Sequence, residues 1–173
     1  MASDVCEGHS MKLVILRYFN AAGADPTGRS GDASAPKHLI TAAVRVATGR
    51  KDGPLKIYGH DYDTPDGTAI RDYVHVTDVA AAHVDAIDYL RNDGASVTLN
   101  CGYGEGVSVQ DVVQSVERVT GKMMDGTITG RRAGDPPQLI ADTAAIRSVI
   151  GWRPLYNDLD LIVRTAIAWE NRG

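Results

Sequence analysis

Residues Lys12 to Phe19 read KLVILRYF, an apolar and β-branched run interrupted only by Arg17. A strand with one wet face alternates apolar and polar residues, whereas an unbroken run marks a strand covered on both faces, as in a parallel sheet. Such a strand needs neighbours, and the only comparable run is VTLNC, Val97 to Cys101. The class is therefore α/β. Too few strands of this kind are present to complete a parallel sheet, so the sequence reads as the end of something larger, with one or two strands belonging to a sheet finished elsewhere.

Working outward from that run, Asn20 to Pro36 (NAAGADPTGRSGDASAP) reads as a loop, longer than most connections and so functional or mobile. Leu39, Ala42, Ala43, Val46 and Ala47 share one helical face, and Gly49 supplies a stop. Leu55 to Tyr58 is a short strand, and Thr64-Pro65-Asp66-Gly67 has the chemistry of a turn. Asp72 to Val76 follows as a strand. Thr77 then caps a helix whose face carries Val79, Ala82, Ala86, Ile87 and Leu90. Beyond VTLNC and a cluster of glycines, Ser108 with Asp111 three places on opens a helix with a Val109, Val112, Val113, Val116 stripe. A weak strand at Thr127 to Thr129, a short helix from Asp142 to Ile150 and a final helix from Leu159 to Asn171 complete the order. No internal repeat or low-complexity linker interrupts it.

Bulk properties exclude several classes. The net charge of -4 and the absence of any basic cluster denser than Arg131-Arg132 or Arg50-Lys51 leave nothing to follow a nucleic-acid backbone. The two cysteines, Cys6 and Cys101, have neither zinc nor disulfide spacing, so a reducing, cytoplasmic setting is expected. No apolar run approaches a membrane span, and MASDVCEGHS lacks the basic and apolar regions of a secretory signal. A metal is not expected either: no spacing of Asp, Glu and His suggests one, and His75 and His83 in YVHVTDVAAAH read as structural, His83 lying close to the apolar face of its helix.

The glycine cluster needs its own weighing. Gly102, Gly104 and Gly106 follow a strand and precede a helix, the place where a dinucleotide-binding protein carries G-x-G-x-x-G. Here the third required glycine is replaced by Val107, and no second strand ends near Thr120 to Lys122 with an acidic residue for a ribose. The spacing favours a tight strand-to-helix turn with positive φ at one or more glycines.

Three stretches, LRYFNAAGADPTGRSG, DYDTPDGTAIRDYVHVTDVAAAH and NCGYGEGVSV followed by RRAGDPP, occur here in that order. Together, from Lys12 to Asn171, they resemble the C-terminal half of the UDP-glucose 4-epimerase family of extended short-chain dehydrogenases/reductases (SDRs). The resemblance implies a Rossmann-type fold in which residues 12–30 are a late Rossmann strand and loop. Residues 31–173 would be a mixed α/β UDP-sugar-binding domain, from which strand 97–101 returns to the Rossmann sheet. It implies bound NAD, interconversion of UDP-glucose and UDP-galactose through a transient 4-keto sugar, and a homodimeric parent. The family's Y-x-x-x-K acid/base pair is not here, because none of the seven tyrosines is followed four places later by Lys. No catalytic residue is therefore assigned, the piece alone is expected to be inactive and not to hold NAD, and its open sheet edges predict self-association.

The site residues come from the same resemblance. Arg71 and Arg132 match the arginines that clamp the pyrophosphate, a role suited to guanidinium forks. Asp135 matches the carboxylate on the ribose hydroxyls, Asn20 the asparagine reaching substrate from the strand end, and Leu39 and Tyr58 the lining of the uracil pocket. Tyr18 and Phe19 would lie near the nicotinamide. Two positions depart from the family pattern: Lys37-His38-Leu39 stands where Asn-Asn-Leu is usual, placing His38 at a substrate contact, and Leu139 stands where a Tyr or small residue bounds the sugar pocket. Acceptance of an N-acetyl group is left open. Two other readings remain: a UDP-sugar-binding or structural module without chemistry, and a sister UDP-sugar 4-epimerase or dehydratase.

Overall fold

A computed structural model describes residues 2–33 and 38–172. Residues Ser34 to Pro36 of the expected loop, and Lys37, lie outside the described residues. Helix α1 (Ala2–Gly8) leads to β1 (Val14–Tyr18), and β2 (Asn20–Ala22) follows after Phe19. Then come α2 (Leu39–Ala47), β3 (Leu55–Tyr58), β4 (Ile70–Arg71), β5 (Tyr73–His75) and α3 (Val76–Arg91). The chain continues through β6 (Val97–Cys101), β7 (Val107–Ser108), α4 (Val109–Thr120), β8 (Gly126–Thr129), β9 (Gln138–Leu139), α5 (Ala144–Val149) and α6 (Leu159–Glu170).

The two apolar runs pair in parallel, Val14 with Val97 through Tyr18 with Cys101. At Phe19 the chain changes partner: the Phe19 N–H donates to the Cys101 carbonyl at 3.1 Å, and the Asn20 N–H to the Asp72 carbonyl at 3.0 Å. Asn20 to Ala22, expected as the start of a loop, thus extends the strand as β2 against β5. The strand is less covered than its composition predicts, since Val14 to Leu16 are half-buried and Arg17 and Tyr18 exposed. Among the described residues β1 is hydrogen-bonded on one edge only. That single pairing explains the difference: KLVILRYF has the composition of an interior strand and the neighbours of an edge strand.

Helices α2, α4 and α6 pack on one another. Their interface is built from side chains three and four apart, Ile40, Ala43, Val44 and Ala47 against Val112, Val113 and Val116 and against Ile162, Val163 and Ala166, all buried. Each fully buried Val or Ile stabilises by roughly 1.5–3 kcal/mol. Arg45 crosses from α2 to Glu170 on α6 at 2.7 Å, fixing the pair. Helix α4 starts with the expected capping box, Ser108 accepting from Asp111 N and Asp111 accepting from Ser108 N, each at 2.9 Å.

Three starts differ from expectation. His75, not Thr77, caps α3, its Nδ1 accepting from Thr77 N at 3.1 Å, and the imidazole takes the part a hydroxyl or carboxylate usually plays. The expected strand Asp72 to Val76 is shortened to β5, because Asp72 lies between β4 and β5 with its carboxylate buried and Val76 is already the first residue of α3. Asp142 precedes α5 and does not begin it, its carboxylate accepting from Ala144 N at 3.0 Å. His83 and Ile87, placed on the inner face of α3 by spacing, are both exposed, while Ala82, Ala86 and Asp78 are buried. Among the described residues no helix is long and apolar enough to cross a membrane.

Candidate functional site

The glycine turn after β6 does bind an anion, and the anion is internal. The Tyr103 N–H donates to Asp72 Oδ1 at 2.9 Å, and the N–H groups of Gly104 and Ala141 donate to Asp72 Oδ2 at 2.9 and 3.2 Å. Converging backbone N–H groups are what phosphate-binding loops offer a ligand. Here they are filled by a side chain with no exposure at all. Gly104 takes φ +79, which meets the expectation of positive φ in this turn.

A second buried carboxylate lies beside it. Asp78 accepts from the Tyr103 hydroxyl at 2.6 Å and from Leu155 N and Tyr156 N at 2.9 Å each, while its carbonyl accepts from Trp152 Nε1 at 3.0 Å. The Tyr103 oxygen also accepts from His75 N at 3.0 Å. Because His75 Nδ1 accepts a backbone N–H, the ring's proton is on Nε2, which donates to Thr165 Oγ1 at 3.1 Å. Burial holds the His75 pKa below the usual imidazole value despite the opposing charges of Asp78 and Asp25. Burial also pushes the Tyr103 phenol up, its bond to Asp78 adding to the effect. The neighbouring Cys101 thiol is raised to about 12, chiefly by burial, so it is no nucleophile at neutral pH.

A cavity of ≈320 Å³ opens beside the start of β2, β3, the end of β4 and the start of α2. Seven of the eight expected substrate contacts line it: Asn20, His38, Leu39, Tyr58, Arg71, Arg132 and Asp135. Arg71 is the central cation. Its Nη2 donates to Asp135 Oδ1 and, at 2.8 Å, to the Pro136 carbonyl, and its Nη1 donates to the Ile70 carbonyl at 2.6 Å. Arg132 is exposed and stacks 3.9 Å above the Tyr58 ring. His38 precedes α2 in extended backbone and makes no capping bond with its side chain.

Leu139 is the eighth. It pairs with Arg71 in register, but its side chain is exposed and outside the cavity lining. Tyr18 and Phe19 also lie outside that lining; Tyr18 is 55% exposed at the end of β1, with its ring 6.4 Å from His83. Polar lining residues not foreseen from the sequence are Lys51, Lys56 and Tyr73, beside several apolar ones. Lys56 stands two places before Tyr58 on β3, so strand alternation alone could have added it; Tyr73 follows the break at Asp72 and needed the fold. Burial raises the Tyr73 phenol pKa. The cavity thus sets Lys51, Lys56, Arg71 and Arg132 against the carboxylate of Asp135, which suits a ligand with more than one negative charge. Among the described residues no group of His, Cys, Asp and Glu converges as a metal site.

Parallel strands that run up to a guanidinium-lined cavity, with helices packed alongside, define a partial Rossmann-type α/β protein of the SDR kind. The family model for the NAD dependent epimerase/dehydratase family matches residues 1–102, and the chain belongs to that family. It is 52% identical over 171 residues to a UDP-glucose 4-epimerase of Azospirillum brasilense, covering 98% of this chain and 49% of that protein. The solved structure of UDP-glucose 4-epimerase from Brucella ovis in complex with NAD matches with a TM-score of 0.90 at 47% identity, over 96% of this chain and 51% of that one. The Bifidobacterium longum enzyme in complex with NAD+ and UDP matches with a TM-score of 0.90 at 34% identity, over 99% of this chain and 51% of its own. The chain spans about half the length of the curated relatives it matches.

Proposed function

We propose that this chain is the UDP-sugar-binding half of a UDP-glucose 4-epimerase that interconverts UDP-glucose and UDP-galactose. The observation that carries the reading is the convergence of Asn20, His38, Leu39, Tyr58, Arg71, Arg132 and Asp135, drawn from widely separated stretches, on one cationic cavity. In this reading Arg71 and Arg132 hold the two phosphates, and Arg132 is pre-positioned by its stacking on Tyr58. Asp135 accepts from the ribose hydroxyls while tied to Arg71. Tyr58 and the backbone at Leu39 take the uracil, and Asn20, at the step from β1 to β2, reaches the phosphate or sugar.

NAD belongs to the complete enzyme, where it supplies the hydride acceptor. The glycine turn of this chain does not fit it. A Cβ at Gly102 would lie 2.5 Å from Asp72 Oδ2, and one at Gly106 would lie 2.6 Å from Ile140 Cδ1 and Ile70 Cγ2, so the turn is filled by protein. With no Tyr followed four places on by Lys, the chain by itself binds the substrate without transforming it. Its parent is a cytoplasmic homodimer, and the half-covered β1 drives self-association of the isolated chain.

Calorimetry with UDP and with NAD, titrated separately, tests this. UDP is expected to bind with a Kd on the order of micromolar and NAD not to bind detectably. Failure to bind UDP overturns the reading, and binding of NAD overturns the assignment of the glycine turn.

A further inference from the structure

The geometry points to Asp72 as the positioning residue for Arg71: its buried carboxylate locks the three-stranded sheet on whose central strand the cavity's principal cation is carried. The inference rests on the UDP-sugar reading of that cavity.

Arg71 sits on β4, flanked by β7 on one side, where it pairs with Val107, and by β9 on the other, where it pairs with Leu139. All three strands are two residues long, too short to hold their own register. The next residue, Asp72, bonds to both connections. Tyr103 N and Gly104 N belong to the turn that delivers β7; Ala141 N belongs to the segment that leaves β9. One carboxylate therefore ties the approach to one flanking strand to the exit from the other.

The same residue reaches the cavity from a third direction, since its carbonyl accepts from Asn20 N at 3.0 Å. The β9 side also matters for charge. Asp135 and Pro136, which receive the Arg71 guanidinium, lie just before β9, so a shift of that strand moves Arg71's two acceptors with it. Gly102 is what lets the carboxylate in. A Cβ at Gly102 would stand 2.5 Å from Asp72 Oδ2, 3.0 Å from its Cγ and 2.7 Å from Ala141 Cβ. The sequence feature that looks like a cofactor loop is in this account a socket for Asp72, and its function is to aim Arg71.

Asp72→Asn keeps the shape and turns one oxygen into a donor facing N–H groups that must also donate. A double-mutant cycle on UDP affinity tests the assignment, with calorimetry on the unmodified chain, Asp72→Asn, Arg71→Ala and the double variant. Asp72→Asn is expected to weaken UDP about tenfold when Arg71 is present and less than about twofold when it is combined with Arg71→Ala, a non-additivity that marks action through Arg71. Gly102→Ala, which displaces the same carboxylate from the other side, is expected to give the same pattern and serves if Asp72→Asn does not fold. Val116→Ala, a cavity in the helical core at a residue outside the lining, is expected to lower stability and leave UDP affinity within about twofold. Equal losses from Asp72→Asn with and without Arg71→Ala, or unchanged UDP affinity in Asp72→Asn, overturn the assignment while leaving the UDP reading intact. Absence of UDP binding by the unmodified chain overturns both.

Discussion

Replacing Tyr103 by Phe removes one oxygen from a deeply buried polar contact and changes nothing in the shape of the ring. That oxygen donates to Asp78 Oδ2 at 2.6 Å and accepts from His75 N at 3.0 Å. Tyr103 is 4% exposed, Asp78 2% and His75 0%, so water does not stand in for the lost group. Leaving the His75 N–H unsatisfied costs roughly 1–3 kcal/mol, and loss of a bond to a charged acceptor roughly 1.5–3 kcal/mol. Asp78 keeps its bonds from Leu155 N and Tyr156 N, which offsets part of the second cost. A net loss of about 3 kcal/mol is expected. For a chain of this size each kcal/mol moves Tm by about 2–4 °C, so Tm is expected to fall by about 6–12 °C. Urea unfolding should show a lower midpoint with an unchanged slope, because the surface exposed is the same. The ring's parallel packing on Trp152, with centroids 6.4 Å apart, is retained and keeps the local packing comparable. A loss under about 1 kcal/mol would refute the view that this hydroxyl joins α3 to the glycine turn.

His75 has a folded pKa below its unfolded value, so between those values the unfolded chain takes up a proton that the folded one refuses. Stability is full above about pH 6.5 and declines as pH falls through that window, and His75→Gln should flatten the decline in chemical denaturation series. Asp160 is held below its ordinary value first by Arg118 and then by Ser115. Its contribution is present above about pH 4 and lost in acid, so Arg118→Ala should raise the midpoint of acid unfolding followed by circular dichroism. Gly121 ends α4 at φ +69 with open space around a would-be Cβ, so Gly121→Ala should cost about 1 kcal/mol in urea unfolding from backbone conformation alone. Arg132→Ala removes the exposed guanidinium stacked on Tyr58 and is expected to weaken UDP binding at least about tenfold by calorimetry, with Tm unchanged within about 2 °C.

Helical spacing made α2 and α4, with its capping box, legible, and unbroken apolar runs did the same for β1 and β6; β3 and α6 also stand where they were expected. What these signals missed follows from side chains acting across the fold. Nothing local distinguishes Asp72 from a turn aspartate, yet its three donors come from residues 31, 32 and 69 positions away. His75 as a cap was hidden because Thr77 is the better capping residue by type, and only the burial of the ring shows which one is used. The strands β7 and β9 are two residues long and carry no period to read. At the cavity, motif resemblance named the guanidiniums and Asp135, whereas Lys51 and Tyr73 needed the fold to bring them into the lining.

Among the described residues, none of the strand pairings joins neighbours in the chain. Val14 meets Val97, Asn20 meets Tyr73 and Leu55 meets Gly126, with no hairpin among them. During synthesis, KLVILRYF therefore emerges long before VTLNC exists: Leu13 and Ser96, bonded just outside the ladder, are 83 residues apart. At about 5–20 residues per second the strand waits roughly 4–17 s for its partner. Through that interval the edge of the run that VTLNC will cover stays open, and chains halted before residue 97 should be more aggregation-prone than chains that extend past residue 101.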